Sequence, residues 1–261
     1  MRWPDLDEAR LFEANGIVWR EYWRHVEDAW TLGHLDGRAV GIEAWRRTLE
    51  RCGYDDHTVA TWAQERHWQH RADTLRLFDD VPATLEALAG RVPLALVTNG
   101  ASDTQRHALG TLGIEGVFAT VFISGERGIA KPAPEVFARV LGELGVAADH
   151  AWHVGDNLHT DVAGARAAGL TAVWLNRLGR PLDEDARAPN HEIRSLADLL
   201  TLPERPSVLH VSPVLTPDDP VCFEQTGLIK IGPSHGYVMA CAEDRGTQGA
   251  PVQERLIEIE Q

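Results

Sequence analysis

Apolar residues recur at three- and four-residue spacing along residues 18–71. Trp19, Trp23, Val26 and Trp30 form one stripe and Ile42, Trp45 and Leu49 a second, with charged residues between them. That period predicts helices with one buried face, interrupted by a turn within 33–41 and ended again near 53–56. Upstream, residues 1–14 are polar and broken by Pro4, which leaves no room before Asp5 for a buried strand of ordinary length. The pattern changes after residue 72. Residues 92–97, 117–123, 151–154 and 171–175 are short apolar runs, and near-continuous apolarity suits strands covered on both faces of a parallel sheet. Helix patterns lie between them, one starting at Pro82, one after residue 102, one over 135–144 and one over 162–168. Ser102 and Asp103 are cap candidates for the second of these, and Asp161 for the last.

Alternation of strand and helix at this spacing predicts an α/β core of parallel crossover units. The expected organisation is a helical cap over 15–71 and a core over 72–206, to which residues 1–14 are a candidate addition. A loop over 178–190 and a short helix over 195–200 close the core. Beyond a Pro-containing boundary at 202–206, residues 208–215, 221–231, 237–242 and 252–259 are β-like runs separated by Pro, Gly and Asp, read as a β-rich C-terminal extension over 207–261. Such a tail is a candidate for added sheet strands, a small appendage, or a contact for a homodimer or protein partner.

Composition narrows the function classes. With 261 residues, 44% of them hydrophobic, the chain can bury a sizeable core. A formal net charge of −14 argues against general affinity for nucleic acid or an anionic membrane. Cys52, Cys222 and Cys241 lie far apart with no ligand spacing, and no apolar run reaches membrane-span length. A reduced, cytoplasmic setting is the expectation. Six of the nine tryptophans fall in the helical region; they form its packed core or, for one or two of them, a substrate wall.

The chemistry-bearing residues gather at predicted strand ends. Residues 151–154 run into Gly155-Asp156, so the Asp156 carboxylate emerges at the carboxyl edge of the sheet, where ligands bind in open parallel sheets. Asp161 follows one loop later. Thr98, at the end of another strand, offers a hydroxyl and nearby amides to phosphoryl oxygens. Lys131, stiffened by Pro132, can neutralise an anion or position a carboxylate. Asp156 is the metal-ligand candidate, and Asp161 a candidate to orient Lys131 or water behind it.

In order and spacing this set resembles the haloacid dehalogenase-like hydrolase superfamily. Leu96-Val97-Thr98-Asn99-Gly100 is similar to its second motif, Lys131-Pro132 to its third, and Gly155-Asp156 with Asp161 to its fourth, followed by the small-residue helix of 162–169. The resemblance implies a Rossmannoid parallel sheet with a helical cap over roughly residues 72–202 and the preceding helices. It also implies Mg²⁺-dependent hydrolysis of a small phosphate ester through an aspartyl-phosphate. On that pattern Asp5 is the nucleophile and a metal ligand with Asp156, and Asp7 is the acid. Thr98, Asn99 and Lys131 hold the phosphoryl group, and Asp161 stands behind them.

The first motif departs from the family. Asp5-Leu6-Asp7-Glu8 has the carboxylate pair but no strand before it and no clear threonine. A strand from the tail could fill the gap structurally. Tyr237–Ala242 followed by Glu243 has the superficial form of the missing piece, although Arg245 replaces the second acid. Two alternatives therefore stand beside the hydrolase: a catalytically inactive binding or assembly protein, and a polypeptide that begins upstream.

Overall fold

The computed structural model describes residues 7–202, 208–212, 228–231 and 237–240. Its elements in chain order are α1 (Glu8–Thr31), α2 (Gly37–Arg51), α3 (His57–Thr74), α4 (Asp80–Ala89), β1 (Leu94–Thr98), α5 (Ser102–Leu112), β2 (Thr120–Ile123) and α6 (Ser124–Arg127). There follow α7 (Pro134–Leu144), β3 (Ala151–Gly155), α8 (Ala163–Ala167), β4 (Thr171–Leu175), β5 (His191–Ile193), β6 (Val208–Val211), β7 (Leu228–Ile231) and β8 (Tyr237–Ala240).

Six strands form one parallel sheet in the order β2-β1-β6-β3-β4-β5. β1 and β3 are buried along their whole length, as expected for strands covered by helices on both faces. One core cluster packs Val97, Phe122, Phe137 and Val140 with Val162 and Trp174. Another, across the sheet, joins Val81, Leu85 and Leu94 to Val154, Val173 and Leu209. The carboxylate of Asp80, at the start of α4, takes both terminal nitrogens of Arg177 at 3.0 Å together with Ser195 Oγ and Leu196 N, which ties α4 to the end of the sheet. β5 is a strand that its composition does not announce.

The centre of the sheet is filled from the tail. β6 lies between β1 and β3 and is parallel to both, with Leu209 beside Leu94 and Trp152, and His210 beside Ala95 and His153. A tail strand is therefore the structural substitute for the missing first strand, but it comes from 208–211. β8 instead pairs antiparallel with β7 in a separate two-stranded sheet, so the Tyr237 segment does not supply the central strand. Glu243 and Arg245 lie outside the described residues. Because one of the three described tail strands belongs to the main sheet, a distinct β-rich extension is not established.

The cap is built from α1, α2 and α3. Its helical region starts earlier than the apolar stripe suggests: α1 begins at Glu8, with Leu11 and Ala14 buried against Trp45, Leu49 and Cys52. The polar character of 1–14 hid these two inward positions. Asp103 does more than expected. Ala101 is the N-cap of α5, and the Asp103 carboxylate accepts from Thr104 N in the first turn of its own helix at 2.8 Å and also from Gly37 N and Arg38 N, both at 2.9 Å, at the start of α2. A core residue thus caps a cap helix, satisfying amides that α2 leaves open.

The cap meets the core close to the rim. Ser124 Oγ donates to Thr31 O at 2.5 Å and accepts from Gly100 N at 2.8 Å. Gly33, at φ 77°, sits against the backbone of Gly125, where a β-carbon would collide with the Gly125 carbonyl.

Candidate active site

β1 and β2 end in register, with Thr98 beside Ile123. β3 ends at Gly155, and β6 between them ends immediately before Ser212. The carboxyl rim therefore collects Thr98, Ser212 and Asp156 on three neighbouring strands. Lys131 comes to the same place from the segment before α7, and its peptide bond to Pro132 is cis. Gly164 explains how closely α8 approaches this segment, since a β-carbon there would lie 3.0 Å from Pro132 Cα and 2.7 Å from Phe137 Cε2.

Lys131 and Asp161 form a buried ion pair at 2.6 Å, 7% and 2% exposed respectively. Lys131 Nζ also donates to Val97 O at 2.9 Å and to Ser212 Oγ at 2.6 Å. An ammonium has three donors, and all three are engaged. Asp161 Oδ1 further accepts from Ser212 Oγ at 2.7 Å and pairs with His153 Nε2 at 3.0 Å, while Oδ2 accepts from Asn157 N. Burial alone would raise the Asp161 carboxyl. The Lys131 charge and the His153 hydrogen bond outweigh it and hold the group well below the usual carboxylate range. Burial pushes His153 down, against the pull of Asp161, and favours the neutral ring.

Asp161 does not cap a helix. A π-helical turn spans Leu158–Val162 ahead of α8, and Asn157 takes the cap position, accepting from His159 N and Thr160 N at 2.9 Å. This frees the Asp161 carboxylate to turn inward. Gly155 makes room for it, because a β-carbon at 155 would overlap the Asp161 side chain.

Asp156 is exposed at the rim. Desolvation by the protein around it, and then the negative charge of Asp161, raise its carboxyl to about 6. A carboxylate crowded in this way favours a nearby cation. No group of three or more His, Cys, Asp or Glu side chains suited to holding a metal occurs among the described residues. The exposed Asp156 carboxylate is an oxygen donor of the kind a hard cation such as Mg²⁺ accepts, alongside water.

The sequence candidates are not all brought together. Thr98, Lys131, Asp156 and Asp161 converge at the rim. Asn99 arrives there, but its side chain is engaged with the Lys131 backbone: Nδ2 donates to Lys131 O and Oδ1 accepts from Lys131 N, both at 2.9 Å. It fixes the lysine segment. Asp7 is elsewhere. It is the exposed N-cap of α1 and accepts from Arg10 N. The opposite end of that 24-residue helix is the one docked on Ser124, so Asp7 stands about 36 Å along the helix from the rim contact. Asp5 lies outside the described residues. Ser212, inside the β-like run of 208–215, takes the strand end at the middle of the rim. Its only sequence signal was the apolar run of 208–211 breaking at Ser-Pro.

Comparison with known proteins agrees with this architecture. The family model described as haloacid dehalogenase-like hydrolase matches residues 5–169. The chain is 44% identical over 204 residues to a phosphoserine phosphatase of Thermus thermophilus, covering 74% of this chain and 80% of that one. It is 37% identical over 166 residues to the mouse N-acylneuraminate-9-phosphatase, covering 62% and 67%. Among solved structures, the magnesium-bound putative HAD-hydrolase YfnB of Bacillus subtilis superimposes with a TM-score of 0.57 at 25% identity, covering 75% and 83%. A 2-haloacid dehalogenase from Pseudomonas syringae superimposes at 0.53 with 29% identity, covering 76% and 81%. With the family model covering more than half of its length and a rim of the same ordered residues, this chain belongs to the haloacid dehalogenase-like hydrolases.

Proposed function

We propose that the chain is a Mg²⁺-dependent phosphomonoester hydrolase of a small metabolite. The observation that carries this reading is the buried Lys131–Asp161 pair beside an exposed Asp156, at a rim also reached by Thr98. Thr98 offers a hydroxyl to a phosphoryl oxygen, while Lys131, whose three donors are taken by Val97 O, Asp161 and Ser212, acts on it through its charge. Asp161 pairs with Lys131 and fixes its place at the rim. Bound at Asp156, Mg²⁺ would neutralise charge on the transferring group. Relatives named as phosphatases support this class, and the magnesium in the YfnB structure supports the cofactor. Asp7 in the role of acid would favour phosphate-ester chemistry over carbon–halogen displacement, whose halide leaving group needs no proton.

The attack step in this reading passes through an aspartyl-phosphate, with Asp5 as nucleophile and Asp7 as acid. That pair would have to reach the rim by an arrangement other than the one in which Asp7 heads α1. A second reading, a phosphate-ester binding protein without turnover, is favoured by one observation: the central strand ends in a serine hydroxyl, Ser212, already bonded to Lys131.

Phosphate release from a panel of small esters with and without Mg²⁺, for the unaltered chain, Asp156→Asn and Asp5→Asn, separates the readings. Mg²⁺-dependent release lost in Asp156→Asn supports the hydrolase, and equal release by Asp5→Asn removes Asp5 from the attack. Ester binding with no release by the unaltered chain supports the second reading.

A further inference from the structure

Most hydrogen-bond donors at the rim are already spent, whereas a phosphoryl group brings several strong acceptor oxygens. Lys131 Nζ gives its three protons to Val97 O, Asp161 Oδ1 and Ser212 Oγ. The Ser212 hydroxyl in turn donates to Asp161 Oδ1. Two amides bordering the rim are also taken, Gly100 N by Ser124 Oγ and Asn157 N by Asp161 Oδ2. The Asn99 side chain is bound to the Lys131 backbone. Among the converging side chains, the Thr98 hydroxyl, in a long 3.3 Å bond to Asn99 O, is the donor most easily given up. A phosphoryl group held there would meet one hydroxyl and a buried charge, and no cationic N–H group with a proton to spare.

The end of β4 holds such a group. β4 runs parallel to β3 with Trp174 beside Gly155, and Trp174 Nε1 donates to Asp156 O at 3.0 Å, so the chain leaving β4 starts next to Asp156. It then turns back on itself. Gly179, at φ 66°, lets residues 176–180 close, with Gly179 N donating to Asn176 O at 3.2 Å. The buried Asn176 side chain accepts from Arg180 N and donates to Arg180 O, both at 2.8 Å, and its second donor goes to Glu192 Oε1 at 2.7 Å. Arg180 is thereby clamped to the carboxyl end of its strand. Arg177, in the same turn, is committed to Asp80. Arg180 is exposed, and its guanidinium makes no hydrogen bond or ion pair among the described residues. Its charge nevertheless reaches the rim, where it pulls the Asp156 carboxyl down against burial and Asp161.

We infer that Arg180 binds the phosphoryl group at the rim, its guanidinium supplying the charged N–H donors that Lys131 has already spent. A guanidinium suits this task because it stays charged at every physiological pH and offers parallel N–H groups to two phosphoryl oxygens at once. Lys131 then acts by charge from the buried side while Arg180 bonds from the exposed one. The inference rests on the phosphate-ester reading of the rim and adds to it a substrate-binding residue from the loop after β4.

Inorganic phosphate is the probe, titrated calorimetrically into the full chain with Mg²⁺ present. Arg180→Gln should weaken its binding at least about tenfold, the scale of one hydrogen bond to a charged group. Arg180→Lys keeps the charge without the planar fork and should recover part of that loss. Arg187→Gln removes one positive charge from the same exposed loop and should change the affinity by less than about twofold, since an exposed charge away from the contact is screened. Substitution of an exposed side chain leaves the Asn176 clamp in place, and thermal melting checks that each variant folds. Unchanged phosphate affinity in Arg180→Gln would overturn the inference and leave the residue as no more than an offset to the Asp156 charge. An equal loss in Arg187→Gln would overturn it as well, because the effect would then belong to the field of the loop and not to a contact. Ester hydrolysis together with Arg180-independent phosphate binding sinks the inference and leaves the hydrolase. Arg180-dependent phosphate binding without hydrolysis of any ester does the reverse, and no phosphate binding by the unaltered chain sinks both.

Discussion

Ser212 Oγ donates a 2.7 Å hydrogen bond to Asp161 Oδ1, joining the end of a tail strand to the loop after β3. The two residues are separated by 51 positions, and neither half of the bond has meaning without β6 in the sheet. Ser212 N continues the strand pairing by donating to Val154 O at 2.8 Å. Together with Lys131, the pair forms a polar cluster in which each buried charge has a partner. That satisfaction is what makes burying it tolerable.

Removing one member of the ion pair should therefore cost more than removing both. Asp161→Asn leaves the Lys131 ammonium buried without a counter-charge, a loss of about 3–5 kcal/mol. The double variant Lys131→Met with Asp161→Leu should fold more stably than that single one, though without phosphate-releasing activity. Urea denaturation of the three chains checks the order. A single variant as stable as the unaltered chain would show that the pair is hydrated rather than buried.

Gly155 is set by space rather than by backbone conformation. Its missing side chain is where the Asp161 carboxylate lies. Gly155→Ala should cost about 1–3 kcal/mol through overpacking and weaken the Mg²⁺ binding proposed for the adjacent Asp156. Calorimetric Mg²⁺ titration and thermal melting test both parts, and unchanged Mg²⁺ affinity would separate Asp156 from the packing of Asp161.

His210 gives the sheet an acid-sensitive centre. It is fully buried on β6, neither ring nitrogen has a hydrogen-bond partner among the described residues, and burial lowers it to about 3. The unfolded chain binds this proton near pH 6.5 and the folded one does not, so stability is full above pH 6.5 and falls as the pH drops towards 3. Between pH 7 and pH 5 this group removes about 2 kcal/mol. His210→Leu should flatten that part of the pH–stability curve measured by urea denaturation, and an unchanged slope would place the acid sensitivity elsewhere.

Asp103→Ala should loosen the cap while leaving the sheet intact. It removes the acceptor for Gly37 N and Arg38 N at a cost of about 1 kcal/mol. Hydrogen exchange at those two amides should accelerate while β1 and β3 remain protected. Unchanged exchange at both would mean that water or Asp36 replaces the cap.

Local chemistry made most of the core legible in order. The apolar runs at 92–97, 151–154 and 171–175 became β1, β3 and β4, and the motif residues Thr98, Lys131, Asp156 and Asp161 met at one rim. Strand-end positions are readable because in a parallel crossover sheet every strand presents its carboxyl end to the same side. Less visible was any partner whose choice depends on distance in space. Asp103 reads as a cap of its own helix because sequence shows only neighbours, and besides Thr104 N it satisfies open amides of residues more than sixty positions away.

From its sequence alone the chain settled its family, its alternating α/β core, its helical cap and the identity of the polar residues at the strand ends, because periodicity and turn chemistry act over a few residues. Tertiary structure alone decided that residues 208–211 occupy the centre of the sheet, that Ser212 completes the Lys131–Asp161 cluster, and that Asp7 heads a cap helix far from both. Strand pairing supplies the reason: a sheet slot between β1 and β3 offers the same backbone hydrogen bonds to any apolar strand that can reach it, so which segment fills it is a competition among whole-chain arrangements that no local pattern encodes.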